Sequence, residues 1–447
     1  MAAGKRIYPR VPAIQILLAS IAISACLLAP GSTGARSVRE PPMLQTGTDG
    51  AAEDLFAYTA AIRGDTVVVG APRDDTPAGS WAGSAYAGTL SGSTWTLDAT
   101  LTHPEPEAID NFGRSVDLDA GTLVVGTPRD KVAGAADAGS AEVFVQSGPN
   151  WTLEATLTHP EPAETDVFGR WAAISGDTVI VGAPRDDIPG GVDAGSAEVF
   201  TRSGTTWSLE AVLTAPSPRA GGFFGKAVEI DGDTIVVGEP AFRHPETSKK
   251  IGAAHVFVRS GTTWTWQATL FHPSPNGGDN FGRWVSVVGN TAVVSAPADR
   301  TAAGPNAGSV HVFVRSGTSW IRQALLRPPN QQAGDSFGHR QTLVGNTVLA
   351  GSRKGDTVAG SSAGTAHVFV RSGTTWTHQA TLTSPTPAAT DQFGRAVALN
   401  EDATMAVVGE PYDDAAGRDA GAAHVFALVG GTWEFQATII NPNTTPP

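Results

Sequence analysis

The chain has 447 residues, 52 of them glycine, and carries 30 Lys and Arg against 43 Asp and Glu, a net charge of −13. An acidic surface with dispersed charges excludes nucleic acid as a general partner. Cys26 is the only cysteine, which excludes a disulfide framework, thiolate catalysis and cysteine zinc sites in everything that follows it.

The beginning differs in kind from the rest. Lys5, Arg6 and Arg10 precede an apolar run over 11–30, and Thr33-Gly34-Ala35 offers small residues for cleavage, so residues 1–35 read as an export signal. Two alternatives share these residues. Ile23-Ser24-Ala25-Cys26 has the look of a lipoprotein box, which would make Cys26 a lipidation site, although Leu27 and Leu28 prolong the apolar run where polar residues normally follow. The run is also long enough to serve as a membrane anchor. Loss of residues 1–35 removes three cations and no acid, taking the charge from −13 to −16. Residues 36–50 read as a linker and 442–447 as a polar tail. The protein is expected to be secreted or held at the cell surface as a monomer, touching a membrane only through its N-terminal segment.

Residues 51–441 are one unit written seven times. Trp95, Trp151, Trp207, Trp264, Trp320, Trp376 and Trp433 recur every 56 or 57 residues, and Phe56, Phe112, Phe168, Phe224, Phe281, Phe337 and Phe393 keep the same spacing. Such a period denotes a solenoid, an array or a propeller. Within one unit, 168–174, 178–181 and 196–202 read as strands, and a fourth starts at Trp207; a loop of about a dozen residues separates the second from the third. In the fourth strand Trp151, Leu153, Ala155 and Leu157 alternate with Thr152, Glu154, Thr156 and Thr158, which predicts a sheet packed on one face and wet on the other. Prolines that follow it, such as Pro104 and Pro160, protect an outermost edge. Small residues in the first strand, Gly394, Ala396 and Ala398, suit strands crowded round an axis. The predicted class is all-β, a seven-bladed β-propeller with four antiparallel strands per blade. Phe56-Ala57 makes unit one degenerate, as terminal repeats commonly are, and no strand needs to be borrowed from the other terminus.

Phe-Gly opens six units, and Gly70-Ala71-Pro72, Gly182-Ala183-Pro184 and variants such as Gly126-Thr127-Pro128, Gly238-Glu239-Pro240, Ser295-Ala296-Pro297 and Gly409-Glu410-Pro411 close the second strand. This pattern resembles the FG-GAP repeat. The resemblance implies a propeller like that of integrin α-chains and of secreted bacterial proteins, working as a non-enzymatic binding or adhesion scaffold that meets an extracellular protein or glycan through loops on one face. The calcium loop that often accompanies this repeat needs spaced carboxylates in the first turn; Asn400-Glu401-Asp402-Ala403, the longest such turn, lacks them, so no calcium or other cofactor is expected. No nucleophile elbow, phosphate-binding loop or zinc helix motif occurs. Ser372-Gly373-Thr374-Thr375-Trp376 is similar to the Asp-box of sialidase-like propellers but lacks its aspartate. The alternative reading is a carbohydrate-active propeller, lectin or glycoside hydrolase, whose paired carboxylates the repeated acids do not single out.

Asp74, Asp130, Asp186, Asp299 and Asp413 follow the proline motif, and Asp110, Asp166, Asp279, Asp335 and Asp391 precede Phe-Gly; both sets are expected on one rim. The residue after Phe-Gly is Arg114, Arg170, Lys226, Arg283, His339 and Arg395, which places six basic groups round one mouth of the axial channel. They could focus an anion such as a carboxylate or a sulfated sugar. The favoured reading is architectural: each arginine lies four residues after an aspartate, as in Asp110 and Arg114 or Asp391 and Arg395, and would pin neighbouring blades. Blade four, with Arg243, Lys249 and Lys250 in 241–250, and blade six, with Arg353 and Lys354, break the symmetry and complete the candidate binding face. His255, His311, His367 and His424 occupy equivalent positions too far apart to share an ion. His103, His159 and His272 are expected as solvated strand ends.

Overall fold

Short alternating runs joined by Gly-Asp turns pair with their neighbours in sequence, and in this protein they do so seven times. The computed structural model describes residues 52–275 and 277–443; the export signal with Cys26, the linker and the last four residues of the tail lie outside the described residues. In blade three the strands are Trp171–Ser175, Thr178–Ala183, Ser196–Ser203 and Thr206–Leu213, with Thr178 opposite Ser175, Ala183 opposite Ser196 and Ser203 opposite Thr206. Phe168 therefore lies ahead of the first strand, not inside it. The seven antiparallel sheets span 59–101, 115–158, 171–213, 227–270, 285–326, 341–382 and 396–440, each in sequential strand order. Their first strands stand round a common axis, and those of blades one and seven are neighbours. The fold is a seven-bladed β-propeller in which every blade is complete with its own four strands.

The repeated Phe-Gly has a steric cause. Gly169 sits at φ 80°, and a Cβ there would stand 1.9 Å from the carbonyl oxygen of Ser140 in the preceding blade. Gly126, which opens the Gly-Ala-Pro variant of that blade, would in turn drive a Cβ to 1.9 Å from the Gly169 carbonyl. The two motifs are thus the two halves of one backbone-to-backbone contact between blades. Blade one puts Ala57 in this role at φ 63°, against Gly409 of blade seven. A left-handed alanine is strained, while glycine loses more chain entropy on folding; Ala57→Gly is therefore expected to gain ~0.5–1 kcal/mol, measurable by urea denaturation.

The apolar core lies between blades. Ala61, Val68 and Leu101 of blade one pack with Phe112, Leu123 and Phe144 of blade two, and Val124, Val143 and Leu157 of blade two pack with Phe168, Ile174 and Phe200 of blade three. Neighbouring blades cover both faces of the inner strands, while the fourth strand keeps Thr152, Leu153 and Thr156 exposed. Its expected alternation breaks at a bulge: Phe144 faces Leu153 and Val143 faces Ala155, leaving Glu154 as the extra residue. The strand turns over at that point. Trp151 joins the cluster shared with blade one, Ala155 and Leu157 join the one shared with blade three, and Leu153 is left 42% exposed.

Glu154 has a job of its own. It accepts the indole N–H of Trp207 from the next blade at 2.8 Å and an ion pair from Arg202 at 3.2 Å, while the Arg202 guanidinium lies 5.3 Å from the Trp207 ring centroid. The same indole bond recurs from Trp264 to Glu210, Trp320 to Gln267, Trp376 to Gln323 and Trp433 to Gln379. Five of the seven tryptophans of the period so tie their blade to the one before, whereas the indole nitrogens of Trp95 and Trp151 are buried without a hydrogen-bond partner. At the closure, backbone bonds join Glu53 to Arg418 and Phe56 to Ala420. Asn441 donates to Asp54 at 2.7 Å, and Asn443, expected in a free tail, donates to the Tyr86 hydroxyl at 2.7 Å and to Asp74 at 3.2 Å.

Candidate functional site

The turn at each Phe-Gly aims the following residue at the axis, where Arg114, Arg170, Lys226, Arg283, His339 and Arg395 meet. Tyr58, two residues after Phe56, is the seventh member of this ring. The guanidinium carbon of Arg395 lies 4.1 Å and that of Arg114 4.5 Å from the Tyr58 ring centroid. Among the described residues the expected pins of Asp110 to Arg114, Asp166 to Arg170 and Asp391 to Arg395 are not formed. Asp110, Asp166 and Asp391 accept backbone N–H groups of their own loops, from Glu107, Ala163 and Ala388 at 2.5, 2.7 and 2.9 Å. Arg114 and Arg170 feel other cations and Tyr58 instead, and Arg114 Nη1 and Arg170 Nε are buried without a hydrogen-bond partner. The left-handed glycine between acid and base sends the two side chains different ways.

One residue further along, Trp171, Trp284 and Arg340 plug the channel. The indoles meet edge-on at 4.2 Å, and the Arg340 guanidinium carbon lies 4.2 and 4.6 Å from their centroids. Arg340 is only 8% exposed, and its Nε and Nη2 have no hydrogen-bond partner. Crowded cations repel one another. Burial first, then Arg170 and Arg283, push the Lys226 ammonium down to about 6. Burial alone would raise Tyr58, but Arg114, Arg395, Arg340 and Arg170 outweigh it and bring the phenol down to about 7. Ultraviolet titration is therefore expected to show one of the four tyrosines ionising near neutrality, a step that vanishes in Tyr58→Phe. A smooth titration near 10 alone would contradict this field.

Beyond the plug the channel opens into a cavity of about 540 Å³ with the opposite sign, lined by Asp117, Asp119, Glu229 and Asp231. Burial pushes Asp117 up to about 6 against the amides of Ile174 and Leu118, and burial together with Asp117 pushes Glu229 well up. The axis thus runs from a cationic mouth to an acidic one.

The other predicted residues divide. Asp74, Asp186, Asp299 and Asp413 are buried and Asp130 is mostly so, all of them at blade junctions, so they do not form an exposed contact rim. His159, at the end of a fourth strand, approaches Glu198 at 3.2 Å and Asp186 at 3.4 Å; His103 does the same with Glu142 and Asp130, and His272 lies 3.5 Å from Asp299. These histidines are 6–8% exposed, not solvated, because the fourth strand of one blade ends beside the second and third strands of the next. Arg243, Lys249 and Lys354 are exposed, whereas Lys250 and Arg353 turn into a recess with Lys226, Arg283 and His339. Tyr58, Trp171, Trp284 and Arg340 were not among the sequence candidates, although their phase relative to Phe-Gly carried the signal.

Three groups of side chains have ligand atoms within 4.8 Å of one another: His272, Asp299 and His311; His103, Asp110 and Asp130; His159, Asp186 and Glu198. Burial opposes the charge on His103 and His159, but their carboxylate partners win and raise them to about 11 and 10, so both rings hold their protons at neutral pH. His311, pushed down to about 3 by burial and by His272, stays neutral. Among the described residues the His272 trio mixes strand-end and third-strand positions that the comparison of equivalent histidines left apart.

Seven sheets packed face to face round a charged channel define a repeat-built propeller, an architecture consistent with a binding scaffold. The FG-GAP repeat family matches residues 46–87, 95–144, 151–200, 207–257, 264–313 and 376–426, well over half of the sequence, and the chain belongs to that family. The stretch 314–375 falls between matches, and there Gly351-Ser352-Arg353 stands in place of Gly-Ala-Pro. No curated protein matches the chain.

Proposed function

We propose that the protein is a secreted or cell-surface, non-enzymatic binding and adhesion scaffold that grips acidic groups of an extracellular protein or glycan at its cationic axial mouth. One observation carries this reading: on a chain of net charge −13, Arg114, Arg170, Arg283, Arg340 and Arg395 converge with no carboxylate partner among the described residues. Desolvating like charges together is unfavourable unless an opposite charge arrives. Low-dielectric walls then focus the field on an incoming anion. The basic segment and apolar run within residues 1–35 support the location.

Retention on an immobilised sulfated polysaccharide, compared with its desulfated form, tests the reading. The wild type is expected to bind the sulfated matrix and to elute with salt, and the Arg114→Gln, Arg395→Gln double variant to elute at clearly lower salt. Equal elution of the two proteins would overturn it. Bound anion should also raise the Tyr58 phenol, seen as loss of phenolate absorbance at neutral pH. The second reading, a glycoside hydrolase, draws on the raised pair Asp117 and Glu229 in the opposite cavity. Release of reducing ends that disappears in Asp117→Asn would favour it over the scaffold.

A further inference from the structure

The cationic face is not symmetric, and its irregular sector has the shape of a pocket. The residue that follows the Gly-Ala-Pro motif is arginine in blades one to three, Arg73, Arg129 and Arg185, but alanine in blades four and five, Ala241 and Ala298. Where those two long side chains are missing, a recess of about 340 Å³ opens, with Pro240, Ala241, Pro297 and Ala298 in its wall. Lys226, Lys250, Arg283, His339 and Arg353 surround it, and no carboxylate lines it. Arg353 occupies the motif's proline position in blade six; its Nη1 donates to Gln392 at 2.6 Å while its Nε is buried without a partner. His339 is only 6% exposed. Lys250 is carried inward by the loop unique to blade four, which bridges Arg243 to Lys250 and is held down by Phe242 against Phe271.

We propose that this recess between blades four and six is a specific site for one tetrahedral oxoanion, a phosphate or sulfate monoester on a small sugar or polyol. Guanidinium forks of Arg283 and Arg353 match the tetrahedral oxygens, and Lys250 and Lys226 supply the balance of charge. The volume lies at the small end of ligand pockets, enough for the ester group with a body of about one hexose. The proposal rests on the reading of the cationic mouth as contact surface, and it adds a location and a ligand class to it. Lys226 makes the site responsive to pH. It faces Arg170, Arg283, Arg114 and Arg185 and shares the recess with Lys250, His339 and Arg353, and together with burial the nearest of these hold it down to about 6. An arriving anion restores its proton, so binding takes up a proton and weakens as the pH rises above about 6.

Isothermal titration calorimetry with glucose 6-phosphate, glucose 6-sulfate and glucose, in two buffers of different ionisation heat, is the test. Both esters are expected to bind with proton uptake at neutral pH, and glucose not to bind. Ala298→Arg restores the side chain of blades one to three; it adds a positive charge yet is expected to weaken the esters by about tenfold or more, because it fills the recess. Arg353→Gln is expected to weaken them comparably without filling it, and Arg322→Gln, on the outer strand of blade five and outside the recess, to change them less than about twofold. If Ala298→Arg, shown to be folded by its thermal melt, binds the esters as well as or better than the wild type, the recess is not the site, although retention on the sulfated matrix would still support the mouth as a contact surface. If that retention is also insensitive to Arg114→Gln with Arg395→Gln, the underlying reading falls as well. Preference for one ester over the other tells phosphate from sulfate as the natural group.

Discussion

Replacing His159 by leucine is expected to destabilise the propeller by ~3–5 kcal/mol, the cost of stranding buried carboxylates without their counter-charge. Glu198 is fully buried and Asp186 nearly so, and both face the His159 imidazole at 3.2 and 3.4 Å. Ser196 satisfies one oxygen of Glu198 at 2.7 Å, while the other has no partner, so the histidine charge is what keeps the carboxylate tolerable. The loss should depend on pH in one direction. Burial opposes the imidazolium, but Asp186 and Glu198 overcome it and raise His159 to about 10, against about 6.5 in the unfolded chain. A raised cation stabilises the folded state in full below the unfolded value, and that stabilisation fades as the pH climbs through the folded one. Urea denaturation of wild type and His159→Leu is thus expected to show a gap that is widest near pH 6.5 and narrows near pH 10.5. A gap of constant size would mean that packing, not charge, holds this junction. Adding Glu198→Leu to His159→Leu should recover part of the loss, since an apolar pair of similar volume leaves less charge unpaired.

Why this junction could not be read from the chain is instructive. The period of Trp and Phe, the turn residues and the Gly-Ala-Pro motif report contacts between residues near in sequence, and these were legible down to the strand count. His159 meets Glu198 and Asp186 only because one blade's outer strand ends beside the next blade's inner loops, a relation set by ring geometry. Alternation failed at Leu153 for a different reason: period-two reading assumes an unbroken ladder, and Glu154 interrupts it to reach Trp207 and Arg202. The basic ring was legible from phase alone. Its pairing was not, because four residues apart is a contact distance on a helix, whereas here a left-handed glycine lies between Asp110 and Arg114 and turns them apart. Tyr58 escaped notice since unit one looks degenerate, yet the same phase puts it in the ring where it reports the field of its neighbours.

Gly169→Ala is the substitution with the largest steric consequence, and a second glycine separates its two causes. Gly176, in the hairpin turn of the same blade, has φ 57° and no atom within 4 Å of where its Cβ would be. Alanine there meets only the left-handed backbone, a cost of about 1–2 kcal/mol. Gly169 has φ 80° and, in addition, backbone on every side: the Ser140 carbonyl oxygen at 1.9 Å and the Thr127 amide nitrogen at 3.2 Å. No rotamer change relieves a clash with main chain, so blades two and three must move apart, uncovering Phe168, which is otherwise fully buried between them. Overpacking of this kind adds roughly 1–3 kcal/mol to the conformational cost, giving about 2–5 in all. Denaturation of the two variants side by side is expected to show Gly169→Ala at least twice as damaging as Gly176→Ala, with tryptophan fluorescence of the Gly169 variant shifted to the red as Trp207 loses its seat against blade two. Equal losses would mean that the blades are held by their apolar faces alone, and that the Phe-Gly contact with the preceding Gly-Ala-Pro sets backbone direction without setting the distance between blades.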